Sequence, residues 1–139
     1  MIALRLVIDT NVLVSAALDR ESLHHTVLDI AITKPARFYV STPILEEYAD
    51  VLSRPKFKLR KGERLQLLQL IRNRCVVVTP RWRLSVASDP DDNIFVECAD
   101  AARADYLITG NLRHYPRFWK GTKIIAPRDF IEAVTPHLF

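Results

Sequence analysis

The sequence has few of the residues on which several common kinds of site depend. It contains only three glycines, Gly62, Gly110 and Gly121, which are too far apart for a G-x-G-x-x-G turn or a P-loop. Nucleotide-cofactor sites of those kinds are therefore excluded. There are only two cysteines, and because Cys75 and Cys98 both lie among apolar residues, we expect buried thiols rather than a disulfide or a metal pair.

Histidine and long apolar segments are also scarce. The four histidines show no H-E-x-x-H spacing, so we interpret them as isolated surface residues. The apolar opening of the chain is broken by Arg5 and ends at Asp9, which makes it too short for a signal peptide or a membrane span. No other apolar run approaches membrane length, so we expect a soluble, cytoplasmic protein without a membrane partner.

What the chain does have is the composition of a folded domain. With 139 residues, of which 49% are hydrophobic, it can bury about two-thirds of its unfolded surface, and we expect one domain over residues 1–139. The formal net charge is +4 and the isoelectric point about 9.3. This charge favours a polyanionic partner only weakly, because net charge concerns association and not fold.

Short apolar runs alternate with helical periodicity along the chain. We expect strands at 6–8, 38–40, 75–78, 106–108 and 123–126, with helices between them. This alternation predicts an α/β fold in which a mostly parallel sheet is covered by helices on both faces.

Two of the intervening helices have recognisable beginnings. One is expected to start with Thr42 as N-cap and Pro43 at its first position. Another is expected to run from Gly62 to Arg74, with Leu65 on its apolar side.

The first strand ends at a carboxylate. Residues 6–8 give way abruptly to Asp9, and Thr10 and Asn11 precede a second apolar segment with helical spacing. In open α/β sheets, ligands bind at the carboxyl ends of the strands, which makes Asp9 a candidate site residue. Capping of the following helix is the alternative, because Asp, Thr and Asn are all good N-cap residues.

A second carboxylate, Glu47, lies at the edge of the apolar face of the helix after the second strand. Its spacing from Ile44 and Val51 puts it beside buried residues, whereas Glu46 and Asp50 point to solvent. An unpaired carboxylate on a buried edge is costly, so Glu47 needs a partner. Either a structural arginine or a metal ion would serve.

The segment 88–93, SDPDDN, opens another helix and is acidic. Asp89 fits an N-cap, Pro90 the first helical position, and Asp92 the acid of a capping box. A cap needs one or two acids, however, and three carboxylates within four residues repel one another. The carboxylate beyond those that a cap needs indicates a bound cation.

The strand at 106–108 also stops at a polar tip, residues 109–111 (TGN). In a parallel sheet this tip and Asp9 lie at the same edge, which the beginnings of two helices can also face. An oxygen-rich cluster suited to Mg²⁺ or Mn²⁺ would then comprise Asp9, Glu47, Asp92 and Asn111. Asn111 could instead be a turn residue, because Asn tolerates a left-handed backbone.

The most basic segment is 54–64, RPKFKLRKGER, with six basic residues against one acid. A charge run is usually a solvated connection. The functional alternative is a phosphate-binding surface that includes Lys58, Arg60 and Lys61, with Arg113 as a contact on another flank.

Four ordered segments, VIDTNVLVSA, STPILEEYADVLSRPKF, DPDDNIFVECA and ADYLITGN, resemble the PIN-domain nucleases, and the similarity covers almost the whole chain. It is greatest to the toxin components of bacterial toxin–antitoxin pairs of the VapC kind. The resemblance implies a Rossmann-like three-layer α/β/α sandwich and a Mg²⁺- or Mn²⁺-dependent ribonuclease that cleaves single-stranded RNA. It also implies a cognate antitoxin protein and a homodimer.

Residue by residue, the resemblance assigns catalytic and metal-binding roles to Asp9, Glu47 and Asp92. Asn111 stands where many PIN domains have a fourth aspartate, which leaves the number of metal ions, one or two, open. Supporting roles fall to Thr10, Asn11, Asp89 and Thr109.

Other functions are compatible with the same residues. One is a metal-dependent nuclease that acts on DNA or structured RNA, and another is a non-catalytic nucleic-acid-binding module of the same fold. An aspartyl-phosphate phosphatase is excluded, because it needs an acid two residues after Asp9, where this chain has Asn11. The aromatic residues Trp82, Tyr115 and Trp119 could stack on bases or pack in the core.

Overall fold

The computed structural model describes the backbone of residues 3–138 and the side chains of residues 3–136. The strands are β1 (Arg5–Ile8), β2 (Arg37–Val40), β3 (Cys75–Val77), β4 (Tyr106–Ile108), β5 (Phe118–Trp119) and β6 (Thr122–Ile125). The helices are α1 (Thr10–Leu18), α2 (Leu23–Ile32), α3 (Thr42–Leu52), α4 (Lys61–Arg74), α5 (Asn93–Ala102) and α6 (Pro127–Leu138). Short 3₁₀ turns occur at Pro55–Phe57, Pro90–Asp92 and Leu112–His114.

The strands form one sheet in the order β3-β2-β1-β4-β6-β5, and all neighbours are parallel except the pair β5 and β6. The connection from β1 to β2 moves toward one edge, whereas the connection from β3 to β4 moves back across the sheet. Right-handed crossovers therefore put α1 and α2 on one face and α5 on the other. The direction reverses between β1 and β4, which is where ligands bind in such sheets.

The centre of the sheet is buried on both faces. Leu6, Val7 and Ile8 of β1 have no exposed surface, and successive strand side chains point to opposite faces. Burial of each such side chain contributes about 1.5–3 kcal/mol of transfer free energy. Helices α1, α2 and α3 pack together with α6 against α2, while α5 packs on β1, β2 and β4. The predicted three-layer α/β/α fold with a mostly parallel sheet is confirmed.

Two predicted helix beginnings are displaced by one residue. The N-cap of α3 is Ser41 and not Thr42, because the buried Ser41 hydroxyl accepts a hydrogen bond from the Ile44 N–H at 3.4 Å. Helix α4 begins at Lys61, one residue before Gly62, with Arg60 at the N-cap position.

The predicted apolar side of α4 is partly wrong. Leu68 and Ile71 are buried, but Leu65 is 51% exposed. Steps of three residues drift around a helix with 3.6 residues per turn, so Leu65 lies about 120° from Ile71. The half-buried Leu67 packs against the core instead.

The sheet edges differ from the sequence-based expectation. β3 is an edge strand, so Val76 and Val77 are substantially exposed. β5 is an additional strand, and the sequence does not predict it because a two-residue strand carries no detectable period. Both cysteines are free thiols, Cys98 buried and Cys75 half-buried. No helix within the described residues is long and apolar enough to cross a membrane.

Candidate active site

The carboxyl ends of the two central strands bring Asp9 and Thr109 side by side. β1 and β4 pair in parallel register up to Ile8 and Ile108, and the next N–H, that of Asp9, donates to the Ile108 carbonyl at 2.9 Å. Each chain then leaves the sheet, so the two side chains meet at its carboxyl edge. Both are buried, and Asp9 is only 3% exposed.

The Asp9 carboxylate is held by the edge of the sheet and does not cap α1. Its Oδ2 accepts hydrogen bonds from the Thr109 hydroxyl at 2.8 Å, the Tyr115 hydroxyl at 2.9 Å and the Asn11 amide at 3.3 Å. Asp9 occupies the N-cap position of α1, but its side chain makes no capping bond. All three side-chain donors contact the same oxygen.

Asn11 joins the two strand tips. Its Oδ1 accepts the Gly110 N–H at 2.9 Å, and its amide donates to Asp9. A Cβ atom at Gly110 would lie 3.1 Å from that same Asn11 oxygen. The close approach explains why the residue after Thr109 is glycine.

Helix α3 brings the second carboxylate to the same edge. The half-buried Glu47 accepts a hydrogen bond from the Thr10 hydroxyl, and the exposed Glu46 points away. The hydroxyl of Tyr48, which is fully buried, donates to the Ile8 carbonyl just before Asp9. This bond fixes α3 to the end of β1 and therefore fixes Glu47 relative to Asp9.

The third group of ligands lies where the 3₁₀ turn Pro90–Asp92 leads into α5. Asp92 Oδ2 lies 3.0 Å from His114 Nδ1, and one ligand atom from each of Asp89, Asp92 and His114 lies within 4.8 Å of the others. Asp89 also accepts the Asp91 N–H at 3.0 Å, which is its predicted capping role. Both functions of the acidic segment are thus compatible.

Asn93 holds the chain that approaches this acidic turn. It is buried, and its Oδ1 accepts the N–H groups of Val86 and Ala87 at 2.9 and 2.8 Å. The Ser88 N–H donates to the His114 carbonyl at 2.8 Å. These bonds tie the acidic turn to the segment that follows β4.

Burial and mutual repulsion make the carboxyl groups of the site harder to ionise. Burial raises the pKa of Asp9, and burial together with the charges of Asp9 and Asp91 raises the pKa of Glu47. Burial and the charge of Asp9 raise the pKa of Asp92 to about 6, although the bond to His114 opposes this rise. Glu47 and Asp92 therefore each lie within electrostatic range of Asp9.

The donor set fits a hard divalent cation. Like-charged carboxylates that are partly removed from water need a compensating charge, and burial keeps Tyr115 a protonated hydroxyl by raising its pKa. The available ligands are mostly carboxylate oxygens, which suit Mg²⁺ and Mn²⁺. Among the described residues, Asp89, Asp92 and His114 have ligand atoms close enough together to hold such an ion, and Asp9 and Glu47 lie outside that group.

His114 and Tyr115 are site residues that the sequence does not reveal. The sequence predicts a surface position for His114 and a stacking or core role for Tyr115, but both contact acidic side chains. They follow β4 in a segment without strand or helix periodicity, so the sequence does not predict where their side chains point. The only available signal is their position shortly after the polar tip at Thr109.

Other predicted residues lie outside this network. Asn111 is exposed, and although its backbone N–H donates to Thr109, its side chain caps nothing. Its φ of −119° also contradicts the left-handed turn considered for it. Lys58 and Arg60 are exposed in the connection between α3 and α4, and Lys61 is exposed at the first position of α4.

A groove of about 730 Å³ adjoins the site on the side of Tyr115. The exposed Arg113, predicted as a flank contact, lines this groove together with Arg117 and Lys123. The groove is therefore positively charged beside a negatively charged site.

The fold and the site define a class of α/β proteins with carboxylates clustered at the carboxyl edge of a parallel sheet. The sequence model of the PIN domain matches residues 5–113, which is most of the chain. The chain belongs to the PIN domain family.

Similar proteins support the fold across most of the chain. The uncharacterized protein MJ1680 of Methanocaldococcus jannaschii is 29% identical over 143 aligned positions, which cover 94% of this chain and 92% of that protein. A crystal structure of VapBC2 from Rickettsia felis, bound to a DNA fragment from their promoter, contains a chain with a TM-score of 0.58 and 15% identity. The match covers 88% of this chain and 98% of that one.

A structure of VapBC-1 from nontypeable Haemophilus influenzae is similar in the same way. Its matching chain has a TM-score of 0.54 and 15% identity, with 79% of this chain and 89% of that chain covered. At these identities the two structures establish a shared fold.

Proposed function

We propose that this PIN-domain protein is a Mg²⁺- or Mn²⁺-dependent endoribonuclease that cleaves single-stranded RNA. The observation that supports the proposal is a set of carboxylates at one edge of the sheet, in which Glu47 and Asp92 each interact electrostatically with Asp9, and Asp92 lies close to Asp89 and His114. Asp9, Glu47 and Asp92 each have a raised pKa, and each is hydrogen-bonded on one side. Such a cluster of carboxylates destabilises the protein unless a cation is bound to it.

The chain's own residues hold the proposed ligands in place. Thr109 and Tyr115 fix Asp9 through one oxygen, and Thr10 fixes Glu47. Lewis-acid stabilisation of the scissile phosphate is the chemistry that a bound ion supplies. Asp92, with a pKa of about 6 before any ion binds, becomes fully available as a ligand above that pH.

The positive surfaces beside the site suit a polyanionic substrate. Arg113, Arg117 and Lys123 line the groove next to Tyr115. On the Glu47 side, burial dominates the pKa of Glu47, but the charge of Arg54 is near enough to oppose the rise. The basic connection 54–64 therefore begins within electrostatic range of the site.

The toxin component of a toxin–antitoxin pair is our proposal for the biological role, with a homodimer as the assembly. It is supported by the four-segment resemblance to VapC proteins and by the fold shared with chains of two VapBC structures. Expression alone should arrest growth, and coexpression of a small DNA-binding protein encoded directly upstream should restore it. Normal growth on expression of an active enzyme would argue against the toxin role.

The decisive test of the enzyme is cleavage of a labelled single-stranded RNA with Mg²⁺, with Mn²⁺ and with a chelator. We expect cleavage only with metal, and none by the Asp9→Asn variant. Duplex RNA and single-stranded DNA serve as comparison substrates. Preferential cleavage of either would favour a different nuclease, and tight RNA binding without cleavage would favour a non-catalytic binding module.

The basic connection is tested separately by reversing the charges of Lys58, Arg60 and Lys61 together. Because these side chains are exposed, the melting temperature should change little. RNA affinity should fall and its salt dependence should flatten, by about 0.7 in the slope of log K against log salt for each phosphate that is no longer neutralised. Unchanged affinity at low salt would mean that this connection is only a solvated surface.

A further inference from the structure

A second basic and aromatic surface lies at the far end of α5 from the acidic turn. It comprises Arg81, Trp82, Arg83 and Arg103, and we call it the Trp82 surface. Trp82 is 67% exposed, more than any other large apolar side chain among the described residues. An indole this exposed contributes little to the core, and most of its surface is accessible to a binding partner.

The indole borders a cavity of about 340 Å³. Arg81 and Arg103 line the same cavity, together with Thr79, Asp100 and Ala101. A neighbouring cavity of about 370 Å³ shares Asp100 and Arg103 and also includes Lys120. The two cavities are adjacent at Asp100 and Arg103, and we refer to them together as the hollow.

The hollow is positively charged. Three basic residues, Arg81, Arg103 and Lys120, face two acids, Asp100 and Asp105. Both acids are already engaged. Asp100 contacts the Lys120 ammonium at 2.9 Å and the Trp119 indole N–H at 3.1 Å, and Asp105 accepts the Arg5 backbone N–H at 2.8 Å. Among the ion pairs formed by the described residues, none involves Arg81, Arg83 or Arg103. These guanidinium groups remain able to contact an anion.

The backbone at Arg103 adds an independent observation. Arg103 directly follows α5 and has a φ of 50°, in the left-handed region where glycine is the usual residue after a helix. An arginine at this position is strained relative to glycine, so backbone stability does not explain it. Its exposed guanidinium lines the cavity beside Trp82.

We propose that the Trp82 surface binds a single-stranded part of the RNA substrate remote from the cleavage site. One base stacks on Trp82, and Arg81 and Arg103 contact phosphates, a combination typical of single-strand binding. The proposal rests on the ribonuclease function proposed above and deepens it. Helix α5 has 10 residues and spans about 15 Å, so an RNA that fills only the acidic edge cannot reach Arg103.

The test compares RNA of two lengths. Full-length protein carrying Asp9→Asn, which blocks cleavage, is titrated with unstructured RNA of about 4 and about 16 nucleotides. Adding Trp82→Ala should reduce the preference for the longer RNA by about 5- to 150-fold, the range expected for loss of one stacked base. Trp82→Phe should restore most of that preference, because it keeps an aromatic ring.

Leu18→Ala is the matched control, since Leu18 is another half-exposed apolar side chain at the end of α1. It should leave the length preference unchanged. Arg103→Gly is compatible with the left-handed backbone, so the fold is retained. Its salt-dependence slope for the longer RNA should fall by about 0.7, as expected when one phosphate is no longer neutralised.

An unchanged length preference in folded Trp82→Ala overturns the inference, while metal-dependent cleavage by the unmodified chain still stands. If the unmodified chain neither binds nor cleaves RNA, the proposed function fails and the inference fails with it. If Trp82→Ala instead shifts only the oligomeric state in sedimentation, the Trp82 surface is a contact between copies of the chain, and RNA binding there is overturned.

Discussion

The two halves of the acidic edge hold their carboxylates in different ways. Asp9, which is 3% exposed, is bound by neutral donors from Thr109, Tyr115 and Asn11. Asp92 has a more accessible side chain and is bound by the ring of His114, which is itself 38% exposed. One half is fixed by hydroxyl and amide groups, and the other by an imidazole ring.

Because of this difference, we expect the two halves to contribute to the site in different ways. The donors around Asp9 present the same pattern at every physiological pH, so they preorganise that carboxylate. The Asp92 half responds to pH, because the pKa of Asp92 is about 6. We therefore expect substitutions in the Asp9 half to affect the assembly of the site and changes in the Asp92 half to affect its pH dependence.

The largest effect is expected for Asp9→Asn. The amide can still accept from Thr109 and Tyr115, so folding should be retained, but the charge is lost. Cleavage should fall more than about a hundredfold, beyond the 10- to 100-fold typical of a residue that only supports a ligand. Asp92→Asn should lose less, because Asp89 and His114 lie within 4.8 Å of the same position. Equal losses would remove the distinction between the halves.

Tyr115→Phe tests the neutral donors directly. Removing the hydroxyl frees Oδ2 of Asp9 from one hydrogen bond, and we expect a loss of about 10-fold in Mn²⁺ affinity by calorimetry. Thr109→Val, which removes another donor to the same oxygen, provides a matched comparison. Unchanged affinity in both variants would show that Asp9 does not need this support.

The pH dependence of metal binding tests the titratable half. Above a pH of about 6 Asp92 is ionised, and below it the folded protein holds a proton that Mn²⁺ must displace. Affinity should therefore fall as the pH decreases from about 7.5 to about 5. Below the pKa of Asp92 the fall should be roughly 10-fold for each unit of pH, because binding then displaces one proton. His114→Gln should move the midpoint of this decline, whereas Tyr115→Phe should leave the midpoint in place.

The smallest effect is expected at Asn111. Asn111→Asp adds an anionic oxygen near the strand tip, which should tighten Mn²⁺ binding. Because the side chain is exposed and outside the hydrogen-bonded network, the gain should stay below about tenfold. Calorimetric titration beside Asp92→Asn, which must show a loss, provides the scale. A larger gain would show that Asn111 moves into the site when metal binds.

Much of the fold could be predicted because its signals are local. Strands such as β1 and β4 are short apolar runs that end at polar residues, and that pattern also identified Asp9 and Thr109. Parallel pairing then placed the two residues at one edge without further information. The position of Glu47 at the edge of the buried face of α3 followed from helical spacing.

The rest depended on contacts between distant segments. Tyr115 reaches Asp9 across 106 residues of sequence, along an irregular path that carries no periodic signal. His114 could be paired with Asp92 only once the ends of β4 and α5 were known to be neighbours. The N-cap of α3 was misplaced because Ser41 and Thr42 have similar propensities, and only burial distinguishes them.

The pairing of β1 with β4 also determines when the acidic edge can be assembled. Asp9 is made early and Thr109 late, 100 residues further along the chain, and β4 must insert beside β1 to join them. Such long-range pairing is slow compared with helix formation, and the amino-terminal part of a chain emerges from the ribosome first. A growing chain therefore carries its first carboxylate for most of its synthesis without a completed site. The acidic edge is therefore assembled only after almost the whole domain has been translated and folded.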